Sequence, residues 1–197
     1  HHLLRRQRQM CIRDSTYVIA LDPSMGTGGD YAAIQVFELP SYKQIAEWRH
    51  NTTPIPSQIR ILKDICVYIK EECQNDGQNI YWSVENNSIG EGALIVIRDM
   101  GEENIPGMCV SEPIRKGRVR KFRKGFNTTH STKISACTRL KNMIETDRLK
   151  VHSKILVSEL KAFVASGSSY KAKPGETDDL VSACLLSMRI MAVLKDW

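Results

Sequence analysis

A chain of 197 residues with 42% hydrophobic and 25% charged side chains can bury one core, which argues against disorder and leaves little room for a second domain. Half of the formal net charge of +6 falls in the first fifteen residues, where Arg5, Arg6, Arg8 and Arg13 face only Asp14, so a nucleic-acid argument must rest on where the remaining charge sits. The six cysteines lie mostly in apolar patterns without C-x-x-C or zinc-like spacing, which implies a reducing compartment. No secretory signal is visible, and the longest apolar run, Leu180 to Leu194, is broken by Arg189.

Residues 1–15 carry no periodicity that continues into the strand after them and read as a tag remnant, scar or disordered tail, leaving residues 16–197 as one domain. TYVIALD (Thr16 to Asp22) is a continuous apolar run ending in a carboxylate, as expected of a central strand buried on both faces. A glycine-rich turn (Gly26, Gly28, Gly29) leads to two further strands, YAAIQVFEL and KQIAEWRH, in an antiparallel meander. Pro56 to Glu72 carries Ile59, Leu62, Cys66 and Ile69 on one helical face, and IYWSVE (Ile80 to Glu85) is a fourth strand, again ending in an acid. A helical segment comes next, around Gly92 to Arg98. The stretch from Gly101 to Thr129, rich in Gly, Pro and cations, predicts a loop or hairpin excursion. Beyond it the pattern predicts a helix over Thr132 to Glu145 (Ile134, Cys137, Leu140, Ile144), a short strand at Leu149 to Val151, and helices over Ser153 to Val164 and Thr177 to Leu194.

Asp22 and Glu85 close the first and fourth strands; if these strands are parallel neighbours, both acids leave the same edge of the sheet. Asp178 and Asp179 open the last helix, with Thr177 placed to cap it, and reach that edge if the helix crosses the sheet. Each acid alone has a plainer explanation: Asp22 before Pro-Ser as a turn former, Glu85 as a solvated strand end, the aspartate pair as helix capping. Together they are costly. Like charges a few ångströms apart repel by about 4 kcal/mol per pair at an effective dielectric near 20, so such a group normally holds divalent cations. Oxygen ligands suit Mg²⁺ or Mn²⁺, and two such ions can activate a water and stabilise the leaving oxygen of a phosphodiester.

The segments ALDPSMGTGGDYAA, WSVENNSIGEG and GETDDLVSACLL, with KILVSELKAFV before the last, resemble the acidic motifs of the nuclease domain of tailed-phage large terminase subunits, over roughly Tyr17 to Leu194. The resemblance implies an α/β fold with an RNase H-like mixed sheet, three antiparallel strands then parallel strands, flanked by helices. It implies two Mg²⁺ or Mn²⁺ ions on Asp22, Glu85 and the Asp178–Asp179 pair, cleavage of double-stranded DNA during viral genome packaging, and residence in the host cytoplasm. Asp30, and Asn86 beside Glu85, would support the ligands from outside the metal contact. The resemblance also implies a terminase ATPase domain as partner, since no G-x-x-x-x-G-K-[ST] occurs here, and the portal and small terminase subunit as further partners. Many relatives carry a histidine where this chain has Thr177.

RKGRVRKFRK places seven cations, Arg115, Lys116, Arg118, Arg120, Lys121, Arg123 and Lys124, in ten residues without an acid. Such density fits sequence-independent phosphate contact, with Lys133, Arg139 and Lys141 extending the patch; a solvated loop or a protein-docking surface is the alternative. Two other functions remain open: another RNase H-like nuclease such as a junction resolvase, or a catalytically idle, DNA-binding packaging-motor domain.

Overall fold

The computed structural model describes residues 15–73, 77–116 and 119–195, and for residues 114–123 the backbone alone. The expected tail, apart from Ser15, and Arg118 lie outside the described residues.

The central sheet has the order β3-β2-β1-β4-β5. Its strands are β1 (Thr16–Asp22), β2 (Ala32–Leu39), β3 (Lys43–His50), β4 (Ile80–Val84) and β5 (Met108–Cys109). The β1–β2 and β2–β3 pairs are antiparallel, whereas β4 runs parallel to β1 and β5 parallel to β4. β1 is therefore hydrogen-bonded on both sides, and its alternate residues feed two cores, which is why it reads as an unbroken apolar run. Tyr17, Ile19 and Leu21 pack with Ile59, Leu62 and Cys66 of α1 (Ile55–Glu72) and with Ala93 and Ile97 of α2 (Ser88–Met100). Val18 and Ala20 pack on the other face against α3 (His130–Glu145), α4 (Lys154–Ala162) and α5 (Asp179–Lys195). α1 provides the crossover that makes β4 parallel to β1. No helix among the described residues is long and apolar enough to cross a membrane, and no described cysteine is disulfide-bonded.

The basic excursion holds the expected hairpin, antiparallel β6 (Glu112–Lys116) and β7 (Val119–Arg123), after a 3₁₀ turn (Glu102–Asn104). The later part of the chain departs from expectation elsewhere: the same excursion also supplies β5 to the central sheet. Leu149 to Val151 is not a strand; Lys150 makes one isolated bridge to Lys43 and the segment runs on into α4. The helix expected to reach Val164 ends at Ala162, and Phe163–Ser166 pairs with Ser169–Ala172 as a further hairpin, β8 and β9. On α3 the buried residues are Ala136, Leu140 and Met143, while Ile144 is exposed, so the apolar stripe lies about one residue round from that expected.

Candidate metal centre

Side chains alternate along a strand, so Asp22 follows Val18 and Ala20 onto the face covered by α5. Glu85 likewise falls opposite Val84, which faces the α1 side, and its backbone N–H donates to the Leu21 carbonyl at 2.9 Å. The last register pair of the two parallel strands is Leu21 with Val84, and the two acids stand one residue beyond it. Glu85 stands close enough for its carboxyl to act on that of Asp22. Burial, then the charge and hydrogen bond of Glu85, then the charges of Asp179 and Asp178, push the Asp22 carboxyl well above the usual range.

The ENN sequence at the end of β4 divides its work residue by residue. Asn87 caps α2, its Oδ1 accepting from the N–H groups of Ile89 and Gly90 at 3.1 and 2.9 Å, and its amide donates to Glu85 Oε2 at 3.3 Å. A Cβ at Gly90 would lie 1.8 Å from the Glu85 carbonyl oxygen, so only glycine lets the first turn of α2 sit against the acid's backbone. Asn86 donates through its side chain to the Lys124 carbonyl at 2.8 Å and through its backbone to that of Phe126 at 2.7 Å. The returning leg of the basic hairpin is thereby fastened beside Glu85. Arg189 of α5 holds the same base, donating to Glu112 Oε1 at 2.8 Å, the Asn127 carbonyl at 3.0 Å and Thr128 Oγ1 at 3.0 Å.

Behind Asp22, buried Gln58 of α1 fixes the loop, accepting from the Ser24 N–H at 3.3 Å and donating to the Ser24 and Thr53 carbonyls at 2.8 and 2.7 Å. The glycine turn after it is docked on the end of β3, with Gly28 N–H donating to the Asn51 carbonyl at 2.8 Å.

Asp178 and Asp179 stand at the start of α5, where both charges act on Asp22. Asp178 Oδ2 accepts the Ala172 N–H at 3.2 Å. Asp179 is half-buried; burial, then the charges of Glu159, Asp178 and Asp30, push its carboxyl up to about 6. Thr177 does not cap α5. Its hydroxyl donates instead to Glu159 Oε1 at 2.9 Å, and the Val181 N–H is taken by Glu159 Oε2 at 3.1 Å. Glu159 is not among the acids that the sequence reading singles out, although an acid three residues after buried Leu156 on a helical face is a visible anomaly.

Asp30 is exposed but close enough to influence Asp179. Lys133 and Glu85 line one small cavity with Arg189, and Lys124 is ion-paired with Glu102. Arg115, Lys116, Arg120, Lys121 and Arg123 lie on β6 and β7, and their side chains are outside the described residues. Among the described residues no three His, Cys, Asp or Glu side chains already stand as a group able to hold an ion. Of the neighbouring acids, Glu85 acts on Asp22 most strongly, and the charges of Asp179 and Asp178 act on it less.

A sheet of three antiparallel and two parallel strands, with acids at the ends of β1 and β4 and at the start of a helix laid over them, is an RNase H-like fold of the terminase nuclease type. The chain belongs to the terminase RNase H-like domain family, whose model matches residues 19–190. The large terminase nuclease of thermophilic phage G20c, solved with bound magnesium, shares the fold at TM-score 0.63 and 18% identity, over 89% of this chain and 82% of that one. The large terminase nuclease domain of Thermus phage P74-26 matches at 0.59 and 19% identity, over 88% and 78%. The human cytomegalovirus terminase nuclease domain, manganese-soaked and inhibitor-bound, matches at 0.58 and 9% identity, over 88% and 82%.

Proposed function

We propose that this chain is a divalent-metal-dependent endonuclease that cuts double-stranded DNA during viral genome packaging. The observation that carries this reading is the placement of Asp22 beside Glu85 at the ends of two parallel strands, in a setting that disfavours the charge of Asp22. Two adjoining carboxyls, with two more within electrostatic reach, cost stability unless a cation offsets them. The donors are all carboxylate oxygens, which fits Mg²⁺ or Mn²⁺, the former present in the phage G20c structure and the latter in the cytomegalovirus one.

Asp22 and Glu85 would hold the ions from the sheet, and Asp179 from α5. Asp178 is the lesser candidate of the pair, because one of its oxygens already accepts the Ala172 N–H. Bound ions would activate a water and neutralise charge on the phosphodiester being cut. The chain's own part is to fix the carboxylates: Asn87 orients Glu85, Gln58 holds the loop after Asp22, and the start of α5 sets Asp179. The basic hairpin rises from beside Glu85, where phosphate contacts would hold duplex without reading bases, with Lys133 nearer the acids. A terminase ATPase domain, the portal and the small terminase subunit are the partners that fit this role, in the host cytoplasm during packaging. The domain organisation consistent with it is a tail over residues 1–15 and one nuclease domain over 16–197.

The test is plasmid cleavage by purified protein with Mn²⁺. Asp22→Asn and Glu85→Gln should each abolish nicking while circular dichroism stays that of the wild type. Wild-type rates in either variant would sink the assignment, and selective cutting of four-way junctions over linear duplex would favour a resolvase.

A further inference from the structure

The ion pair of Glu159 with Arg49 takes no part in the metal chemistry proposed for this chain, yet it ends on the turn that presents Asp179. Glu159 stands on α4 with only 4% of its surface exposed. Its Oε1 accepts from Arg49 Nη1 of β3 at 2.5 Å and from the Thr177 hydroxyl at 2.9 Å; Oε2 accepts from the Val181 N–H at 3.1 Å. Arg49 Nη1 also donates to Thr177 Oγ1 at 3.1 Å, and its guanidinium lies 4.3 Å from the centre of the Tyr31 ring.

The Val181 N–H is one of the donors that the first turn of a helix leaves unpaired, and a side chain just before the helix ordinarily accepts it. Here the residues in that place are committed elsewhere, Thr177 to Glu159 and Arg49, and Asp178 to the Ala172 N–H. Glu159 therefore caps α5 from another helix. A carboxylate buried on an amphipathic helix is a costly way to pack α4, since an apolar residue of similar size would do that without desolvating a charge. It also adds to the negative charge around Asp179. Both costs are understandable if the arrangement serves the acid at the start of α5.

We propose that Glu159, held by Arg49, is a positioning residue of the candidate metal centre: it clamps the first turn of α5 to α4 and β3, so that Asp179 is held towards the edge where β1 and β4 present Asp22 and Glu85. The proposal rests on the metal-binding reading of the site. The effect of losing the clamp should appear in ion affinity before any DNA is added, and outer partners of metal ligands typically contribute about tenfold or more to affinity.

The experiment is isothermal titration of Mn²⁺ into the purified chain, with melting followed in parallel. Glu159→Gln should weaken Mn²⁺ binding about tenfold, with Thr177→Val losing less and Arg49→Lys retaining part of the affinity. Leu156→Ala, which removes a fully buried side chain from the same helix, should lower the melting temperature yet leave Mn²⁺ affinity unchanged. Wild-type affinity in Glu159→Gln overturns the proposal, as does an equal loss in Leu156→Ala, which would mark the effect as one of stability. If Glu159→Gln does not fold, wild-type affinity in both Thr177→Val and Arg49→Lys overturns it instead. Absence of saturable Mn²⁺ binding in the wild type overturns the metal reading and this with it. Wild-type binding that Asp22→Asn abolishes and Glu159→Gln spares overturns this proposal alone.

Discussion

Asp22 and Glu85 leave adjacent parallel strands one residue beyond the Leu21–Val84 pair, on the same face of the sheet, close enough for the Glu85 carboxyl to act on that of Asp22. If this pair holds a cation, as proposed, ion binding should stabilise the fold. Mn²⁺ at about 100 times its Kd should add about 2.7 kcal/mol of stability. For a domain of this size that raises the melting temperature by about 5–10 °C. Asp22→Asn should melt at or slightly above the wild type without metal and gain little when Mn²⁺ is added. Equal Mn²⁺-dependent shifts in both proteins, read by scanning calorimetry, would contradict this.

Asp179 gives a dependence on pH. Its carboxyl is pushed from 3.8 to about 6, mainly by burial and then by Glu159, Asp178 and Asp30, so the folded protein binds this proton more tightly than the unfolded chain does. The stabilisation is complete below the unfolded value and is lost as pH rises through the folded one. In metal-free buffer the melting temperature of the wild type minus that of Asp179→Asn should therefore fall as pH rises from the unfolded value of 3.8 through the folded value of about 6. A difference that stays flat across this range would refute the assignment.

Glycine to alanine inside a helix usually stabilises by up to about 1 kcal/mol. At Gly90 the sign should reverse, because the new Cβ would fall 1.8 Å from the Glu85 carbonyl oxygen. Gly90→Ala should cost about 1–3 kcal/mol in urea unfolding, in line with other overpacking, and should reduce cleavage because the backbone that yields carries Glu85. A stability equal to or above that of the wild type would show that α2 does not press on the acid.

The placement of the candidate acids was legible because they sit where local patterns end. The alternation of β1 puts Asp22 on a definite face, and an apolar run that stops at Glu85 marks the matching strand end. Cores and long elements follow from the same periodicity. β5, with two residues, and β8 and β9, with four each, were not legible, because so few residues carry no period that separates strand from loop. Thr177 before Asp178 and Asp179 suggests a cap by its residue type, and only the fold brings Glu159 close enough to take the Val181 N–H first. Arg49 and Glu159 lie 110 residues apart, so neither segment alone announces the pair.

The basic hairpin is anchored beside Glu85 by Asn86 and to α5 by Arg189. If its cations meet phosphate, replacing Arg118, Arg120, Lys121 and Arg123 by Ala should weaken DNA binding alike for unrelated sequences. The slope of log affinity against log salt should fall by up to about 3–4 units. Cleavage should return at low salt and high protein concentration, since the carboxylates are untouched. Unchanged affinity and slope, measured by fluorescence anisotropy, would make the hairpin a docking surface for a protein partner.

Whether Asp22, Glu85 and Asp179 share divalent cations, as proposed, is decided by a crystal soaked in Mn²⁺ and measured at the manganese absorption edge. Anomalous density should be bounded by those three carboxylates and be lost in Asp22→Asn crystals soaked in the same way. An empty cleft between β1, β4 and the start of α5 at saturating Mn²⁺, or manganese bound only elsewhere on the chain, would contradict it.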